Sequence, residues 1–126
     1  MTIRTRRWND PAEPGDGFRV LVCRYRPRGL RKRDETWEEW YPQLGPSPGL
    51  HADFYGKSGE PIEHAAYTAR YLEELKGVQQ QARILMLAER VHLRETITLL
   101  CSSACVDPAR CHRTLLALLV QQAVGR

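Results

Sequence analysis

The segments Phe18-Arg19-Val20-Leu21-Val22-Cys23 and Thr96-Ile97-Thr98-Leu99-Leu100 are short, rich in β-branched residues and mostly apolar, the pattern of buried strands. After the second, Thr114 to Val120 repeats apolar residues at helical spacing. Asp107-Pro108 ahead of it reads as N-cap and first helical position: the carboxylate accepts from an early helix N–H, and proline has no such donor to leave orphaned. Counting about 100° per residue from Pro108 gives an inward arc of Cys111, Leu115, Leu116, Leu118, Leu119 and Ala123. His112 lies near its centre, Arg113 at one border and Arg110 on the opposite face. Between the strands the pattern is helical. From Pro61 to Lys76 the residues Ile62, Ala65, Ala66, Ala69 and Leu72 form one stripe, with His64, Tyr67 and Tyr71 on another face and Gly77 as the stop. Val78 to about Arg90 carries Ala82, Ile84, Leu85, Leu87 and Ala88. Thr36-Trp37-Glu38-Glu39 has capping-box spacing and predicts a short segment to Leu44, closed by Gly45-Pro46. Ser47-Pro48 opens another through Tyr55, and residues 56–60 make a polar break. The alternation predicts an α/β fold: a single compact domain over residues 1–126, with a small, mainly parallel sheet covered by helices.

At 126 residues the chain has room for one hydrophobic core, and 42% hydrophobic with 27% charged residues is ordinary for a soluble domain. No run approaches the ~20 apolar residues of a membrane span, and Met1 to Arg7 lacks the apolar stretch of a secretory signal, so the expected location is cytoplasmic with no membrane partner. In that reducing compartment four cysteines read as free, catalytic or metal-bound thiols. The net charge of +4 is unevenly placed, with ten Lys/Arg against three Asp/Glu in residues 1–33. Six of the ten residues 24–33 are cationic, interrupted by Pro27 and Gly29, which shape a loop at the C-terminal end of the Phe18 strand.

The turn from Cys101 to Arg113 holds three of the four cysteines, Cys101, Cys105 and Cys111, together with His112, Arg110 and Arg113. If the two strands are parallel neighbours, this turn and the basic loop open on one edge of the sheet, where open α/β sheets bind their ligands. A helix N-terminus offers free N–H groups and partial positive charge, so arginine and thiol together describe an anion site with an acidified thiol. The favoured reading is a phosphorylated or otherwise anionic small molecule. Arg28 and Arg113 would hold it, with Arg24 and Cys101 also in contact, His112 as proton carrier or orienting donor, and Cys105 or Cys111 as reactive thiol. Cys105 and Arg110 have the span of a sulfurtransferase or phosphatase loop, although residues 106–109 offer no glycine and Asp107 opposes an anion. Cys23, inside a strand, reads as core.

A resemblance sharpens the fold. Asp10-Pro11, Gly15-Asp16-Gly17-Phe18-Arg19-Val20-Leu21-Val22, Arg24, Pro27-Arg28-Gly29-Leu30, Trp40, Pro46-Ser47, Leu50 and Thr98-Leu99-Leu100 resemble the YeaO-like family, domain of unknown function 488, nearly end to end. That likeness implies a compact α/β domain and a first short strand in Ile3-Arg4-Thr5-Arg6. Many relatives have tryptophan where this chain has Arg26, and some lack cysteines in the C-terminal turn; the chain resembles the branch ending in Cys-His-Arg, here Cys111, His112 and Arg113. The family carries no assigned reaction, so the likeness implies a fold and leaves enzymatic activity open.

Two other functions compete with the anion site. Cys101, Cys105, Cys111 and His112 supply the three thiolates and one imidazole that tetrahedral zinc accepts. Neighbouring residues on a helix project about 100° apart, so a set of Cys101, Cys105 and one of the pair Cys111 and His112, completed by His51 or His92, is the easier geometry. In the other, the loop 24–33 neutralises nucleic-acid phosphates while Tyr25 or Trp37 stacks on bases.

Overall fold

The computed structural model describes residues 2–57 and 59–125; Ser58, inside the expected polar break, lies outside them. Four strands, β1 (Ile3–Arg7), β2 (Phe18–Leu21), β3 (Glu39–Trp40) and β4 (Ile97–Cys101), form one all-parallel sheet in the order β1-β4-β2-β3. The two strands read from sequence are its centre: Phe18 pairs with Ile97 and Leu21 with Leu100, and every residue of β2 and β4 is buried. That is why both read as apolar runs. The edges gave a weaker signal, because β1 is mostly half-buried and β3 is exposed.

Four helices follow the same chain order: α1 (Pro48–Phe54), α2 (His64–Glu74), α3 (Val78–His92) and α4 (His112–Val124). They build one core against one face of the sheet. Ile3, Phe18, Val20, Ile97 and Leu99 pack there with Leu87 and Val91 of α3 and Leu116 and Val120 of α4. Among the described residues no helix layer covers the opposite face. Leu21 and Leu100 are covered there by Trp37, with Trp8 and Leu30 packed alongside.

Several expected elements are placed differently. The capping-box segment is not helical: Thr36 Oγ1 donates to the Trp8 carbonyl at 2.6 Å, and the chain runs on as edge strand β3 with Val20 opposite Glu39. Only Pro42–Leu44 coils, as a 3-10 turn. In α2 the tyrosine face, not the alanine stripe, is the core: Tyr67, Tyr71 and Leu75 are buried while Ala65, Ala66 and Ala69 are exposed. Two phenol rings remove far more apolar area from water than alanines, and Tyr71 Oη finds the Leu44 carbonyl at 2.6 Å.

Below the sheet, an ion network joins β1 to β2. The Asp16 carboxylate, 1% exposed, accepts from Arg4 at 3.2 Å, from Arg19 and from the Glu13 N–H at 2.9 Å, with Arg6 at 3.7 Å. Burial works against its charge, but the Glu13 N–H and the Arg19 and Arg4 guanidiniums outweigh it and hold the carboxyl below its usual range. Gly17 then has φ +64°, and a Cβ there would lie 2.1 Å from the Thr96 carbonyl oxygen. Only glycine lets the chain enter β2 so close to the start of β4.

Candidate metal centre

Strand β4 ends at Cys101, on the same sheet face as Ile97 and Leu99. A tight turn follows, with the Cys105 N–H donating to the Ser102 carbonyl at 3.0 Å. Asp107 caps as expected, accepting from the Ala109 N–H at 3.0 Å, but what it starts is a single 3-10 turn, Pro108–Arg110. Cys111 is extended, φ −101° and ψ 140°, and is itself the N-cap of α4; His112 is the first helical residue. The 100° separation expected between these neighbours therefore does not apply, and both side chains reach one place.

The Sγ atoms of Cys101, Cys105 and Cys111 all lie within 4.8 Å of one another, so the three thiols form a cluster able to hold a metal ion. Cys101 and Cys105 are 3.3 Å apart, and Ser102 Oγ lies 3.6 Å from Cys105. His112 is buried, its Nδ1 3.8 Å from Cys101 Sγ and 4.0 Å from Cys111 Sγ. On its other side Nε2 is 2.8 Å from the Val22 carbonyl. A carbonyl only accepts, so Nε2 carries the hydrogen and Nδ1 is turned to the sulfurs. Either a proton at Nδ1 beside a thiolate or a lone pair at Nδ1 beside a metal cation satisfies it.

The electrostatics are unequal among the sulfurs. Hydrogen bonds from Cys101 and then Cys111 lower the Cys105 thiol strongly against the cost of burial, helped by Ser102 and by the His112 charge. Donating to Cys105 raises Cys101, and donating to both neighbours raises Cys111. For His112, burial opposes the charged ring, but the Cys111 sulfur and the Val22 carbonyl prevail and the shift is upward. Cys23 is pushed up to about 12 by burial, the behaviour of a core thiol.

Above the cluster opens a cavity of about 100 Å³ at the C-terminal ends of β2 and β4, the sheet edge expected from the sequence. The three clustered cysteines and His112 line its floor, and Tyr25, His51 and Tyr55 are among its walls. Arg24 and Arg110 also line it. Arg24 is tethered by Nε to the Pro46 carbonyl at 3.0 Å and by Nη2 to the Gly45 carbonyl at 3.2 Å. Gly45 makes that tether available, since a Cβ there would lie 2.2 Å from the Arg24 nitrogen.

Other anticipated residues lie elsewhere. Arg28 is exposed on its loop and is absent from the cavity lining. Arg113 is 4% exposed and also off the cavity; Asp10, held low first by the Arg7 N–H, is lowered further by the Arg113 charge. His92 ends α3, exposed, beside Leu85 and Ala123, so it does not complete the cluster. Neither His51, which lines the cavity, nor His112, whose Nδ1 approaches Cys101 and Cys111, is among the atoms that all lie within 4.8 Å of one another; of the two only His112 is in contact with sulfurs of the cluster. Trp37 is buried and unavailable for base stacking, and Arg26 is paired with Glu35 at 2.7 Å. Sequence reasoning missed Tyr55 and the Val22 carbonyl, and it set Arg110 facing away because it began the helix at Pro108. Among the described residues no helix is long and apolar enough to cross a membrane.

A family model described as DUF488-N3a, active DUF488-N3 subclade, matches residues 3–124. "Uncharacterized protein YeaO" of Escherichia coli (strain K12) is 39% identical over 85 residues, 68% of this chain and 71% of that protein. "Uncharacterized protein Rv3073c" of Mycobacterium tuberculosis and "Uncharacterized protein Mb3100c" of Mycobacterium bovis are each 32% identical over 88 residues, 70% of this chain and 72% of theirs. No solved structure matches.

Proposed function

The chain belongs to the DUF488 family, in its DUF488-N3a group, and from that premise we propose that it is a zinc-binding domain whose metal forms the floor of a ligand cavity. The ligands are the thiolates of Cys101, Cys105 and Cys111 and Nδ1 of His112. One observation carries the reading: three sulfurs within 4.8 Å of one another and an imidazole whose Nδ1 lies 3.8 and 4.0 Å from two of them while its other nitrogen is fixed by the Val22 carbonyl. Tetrahedral zinc with Zn–S of about 2.3 Å and Zn–N of about 2.0–2.1 Å has ligand-to-ligand edges of about 3.5–3.8 Å, near the 3.3 Å between Cys101 and Cys105 and the 3.8 and 4.0 Å from His112 Nδ1 to Cys101 and Cys111. A ligating histidine commonly donates its remote N–H to a carbonyl, which sets the tautomer. Thiolate-rich sets select zinc over hard cations, and the positive end of α4 beside Cys111 favours the thiolate form.

When bound, zinc held by these four ligands would be coordinatively closed, and would brace the cavity floor without offering an open position to a ligand. The residues around it set what arrives there. The anionic ligand anticipated from sequence is assigned to Arg24 and Arg110, the cations that line the cavity, in place of Arg28 and Arg113. The matching family group is described as active, and we assign such activity to this cavity. Titration of metal-free protein with cobalt(II) in the absence of oxygen tests the ligand set. Intense near-ultraviolet thiolate-to-cobalt bands are expected to saturate at one equivalent and to vanish on adding zinc. A spectrum with no such bands overturns the assignment.

A second reading is favoured by the difference among the thiols. Cys105 is half-buried where Cys101 and Cys111 are buried, and it accepts from Cys101 at 3.3 Å and from Ser102 Oγ at 3.6 Å. In metal-free protein it is therefore the nucleophile of the cluster, since the thiolate is the reactive species. Brief treatment with iodoacetamide at neutral pH, followed by peptide mass mapping, is expected to label Cys105 before Cys23, Cys101 or Cys111. Equal labelling of all four removes this role.

A further inference from the structure

The walls of the cavity specify more than its floor does. Tyr25 and His51 meet edge to face at 5.0 Å, and His51 and Tyr55 are 4.7 Å apart. Behind them Phe54 meets Tyr67 at 4.4 Å. The two outer tyrosines remain open, Tyr25 at 51% and Tyr55 at 43% exposure, so ring surface is left for a ligand. Burial and then the Lys57 charge lower His51, leaving it a neutral ring in this row. Burial, followed by the nearby Cys105 charge, pushes Tyr55 up to about 12, so its phenol stays a neutral hydrogen-bond donor.

Apart from the floor of cysteines and His112 and the neutral His51, the charged side chains that line the cavity, Arg24 and Arg110, are both cationic. Arg24 is fixed by two backbone carbonyls, and neither Arg24 nor Arg110 is in an ion pair among the described residues. A guanidinium held in place by carbonyls and left without a carboxylate is prepared for an anion. The acid in reach along the turn, Asp107, is turned onto the Ala109 N–H. A second depression of about 210 Å³, lined also by Asp107, shares Tyr55, Cys105 and Arg110 with the cavity and gives room for an uncharged part of a ligand beyond one ring.

We infer that the cavity takes a planar heteroaromatic ring carrying a phosphate or carboxylate, the ring lying against Tyr25, His51 and Tyr55 and the anion meeting Arg24 and Arg110. This rests on reading the cavity as the ligand site over the metal centre. Aromatic faces stack on flat rings whatever their substituents, and the arginines supply the selection for charge. An aliphatic anion would leave the aromatic faces unused, and a cationic aromatic would meet two unpaired guanidiniums.

The test uses the full-length protein with its metal content measured on the same samples. Binding of adenosine monophosphate, uridine monophosphate, nicotinate, adenosine and inorganic phosphate is followed by calorimetry and by saturation-transfer NMR. Ring protons of at least one ring-bearing anion are expected to receive saturation, with the uncharged nucleoside binding about tenfold or more weaker. Inorganic phosphate alone is expected to bind too weakly to measure. The phosphate and carboxylate arms identify the source of the anion. Tyr55→Ala is expected to weaken the bound probe by about fivefold or more. Arg110→Gln, at an exposed position that leaves the fold intact, is expected to weaken the anion and leave adenosine unchanged. No binding of any ring-bearing anion at millimolar concentration, in protein that carries its zinc, overturns this inference and leaves the metal centre standing. Protein without zinc that still binds these probes removes the metal and keeps the ligand class.

Discussion

Cys111→Ser is expected to lower zinc affinity by about a hundredfold to a thousandfold, roughly one ligand's share of the ~10–16 kcal/mol with which structural zinc is held. The substitution is informative because of where Cys111 stands. It is the N-cap of α4, with extended backbone and no side-chain capping bond of its own. Serine is among the best residues at an N-cap, so helix entry is preserved or improved while the thiolate is removed. Far-ultraviolet circular dichroism should be unchanged as competition with a chromophoric chelator shows weakened metal. Affinity within about threefold of the parent protein would exclude Cys111 from the ligand set.

The second large effect lies beneath the sheet. Asp16→Asn is expected to cost about 3 kcal/mol, because it leaves Arg19, itself buried, without its counter-charge. The lower end of the usual 3–5 kcal/mol range applies, since Arg4 and Arg6 are each about a third exposed and water offsets their share. For a chain of this size that is a fall of roughly 10 °C in melting temperature. The pH dependence has a fixed sign. Asp16 is lowered in the folded protein from an unfolded value of 3.8, so its contribution is complete above that pH and is lost as pH falls through the lower folded value. Urea unfolding at pH 7, 4 and 3 should show the parent protein losing stability below about pH 4, and Asp16→Asn losing less over the same interval. A loss under about 1 kcal/mol at pH 7 would mean that the arginines find other partners.

How much of this was legible in the chain follows from where burial is unambiguous. Strands β2 and β4 are buried along their length, so their apolar content announced them, and their parallel pairing placed the cysteine turn and the basic loop at one sheet edge. Strand β1, whose Arg4 and Arg6 meet Asp16 and whose Arg7 meets Asp10, carries its information in charge pairing, and only the family resemblance pointed to it. Strand β3 is two exposed residues long, held by the neighbouring β2 backbone and by Trp40 Nε1 donating to the Cys23 carbonyl, neither of which leaves a local pattern.

The site shows the same division. Cys101, Cys105, Cys111 and His112 were found by clustering along the chain, which survives any small error in helix register. Of the arginines, Arg24 of the basic loop was anticipated and lines the cavity, whereas starting the helix at Pro108 rotated Arg110 outward and set Arg113 toward the ligand. The 3-10 turn and the extended Cys111 reverse both placements. Tyr55 and His51 come from α1 and its end, distant in sequence from the turn they face, and no spacing rule connects them.

Elemental analysis combined with thiol titration, on protein purified without oxygen or added chelator, bears most directly on the metal centre. One zinc per chain is expected, with Cys101, Cys105 and Cys111 protected from a thiol reagent under native conditions until a chelator strips the metal. Metal-free protein whose four cysteines all titrate at once, with no protection restored by zinc, would contradict it.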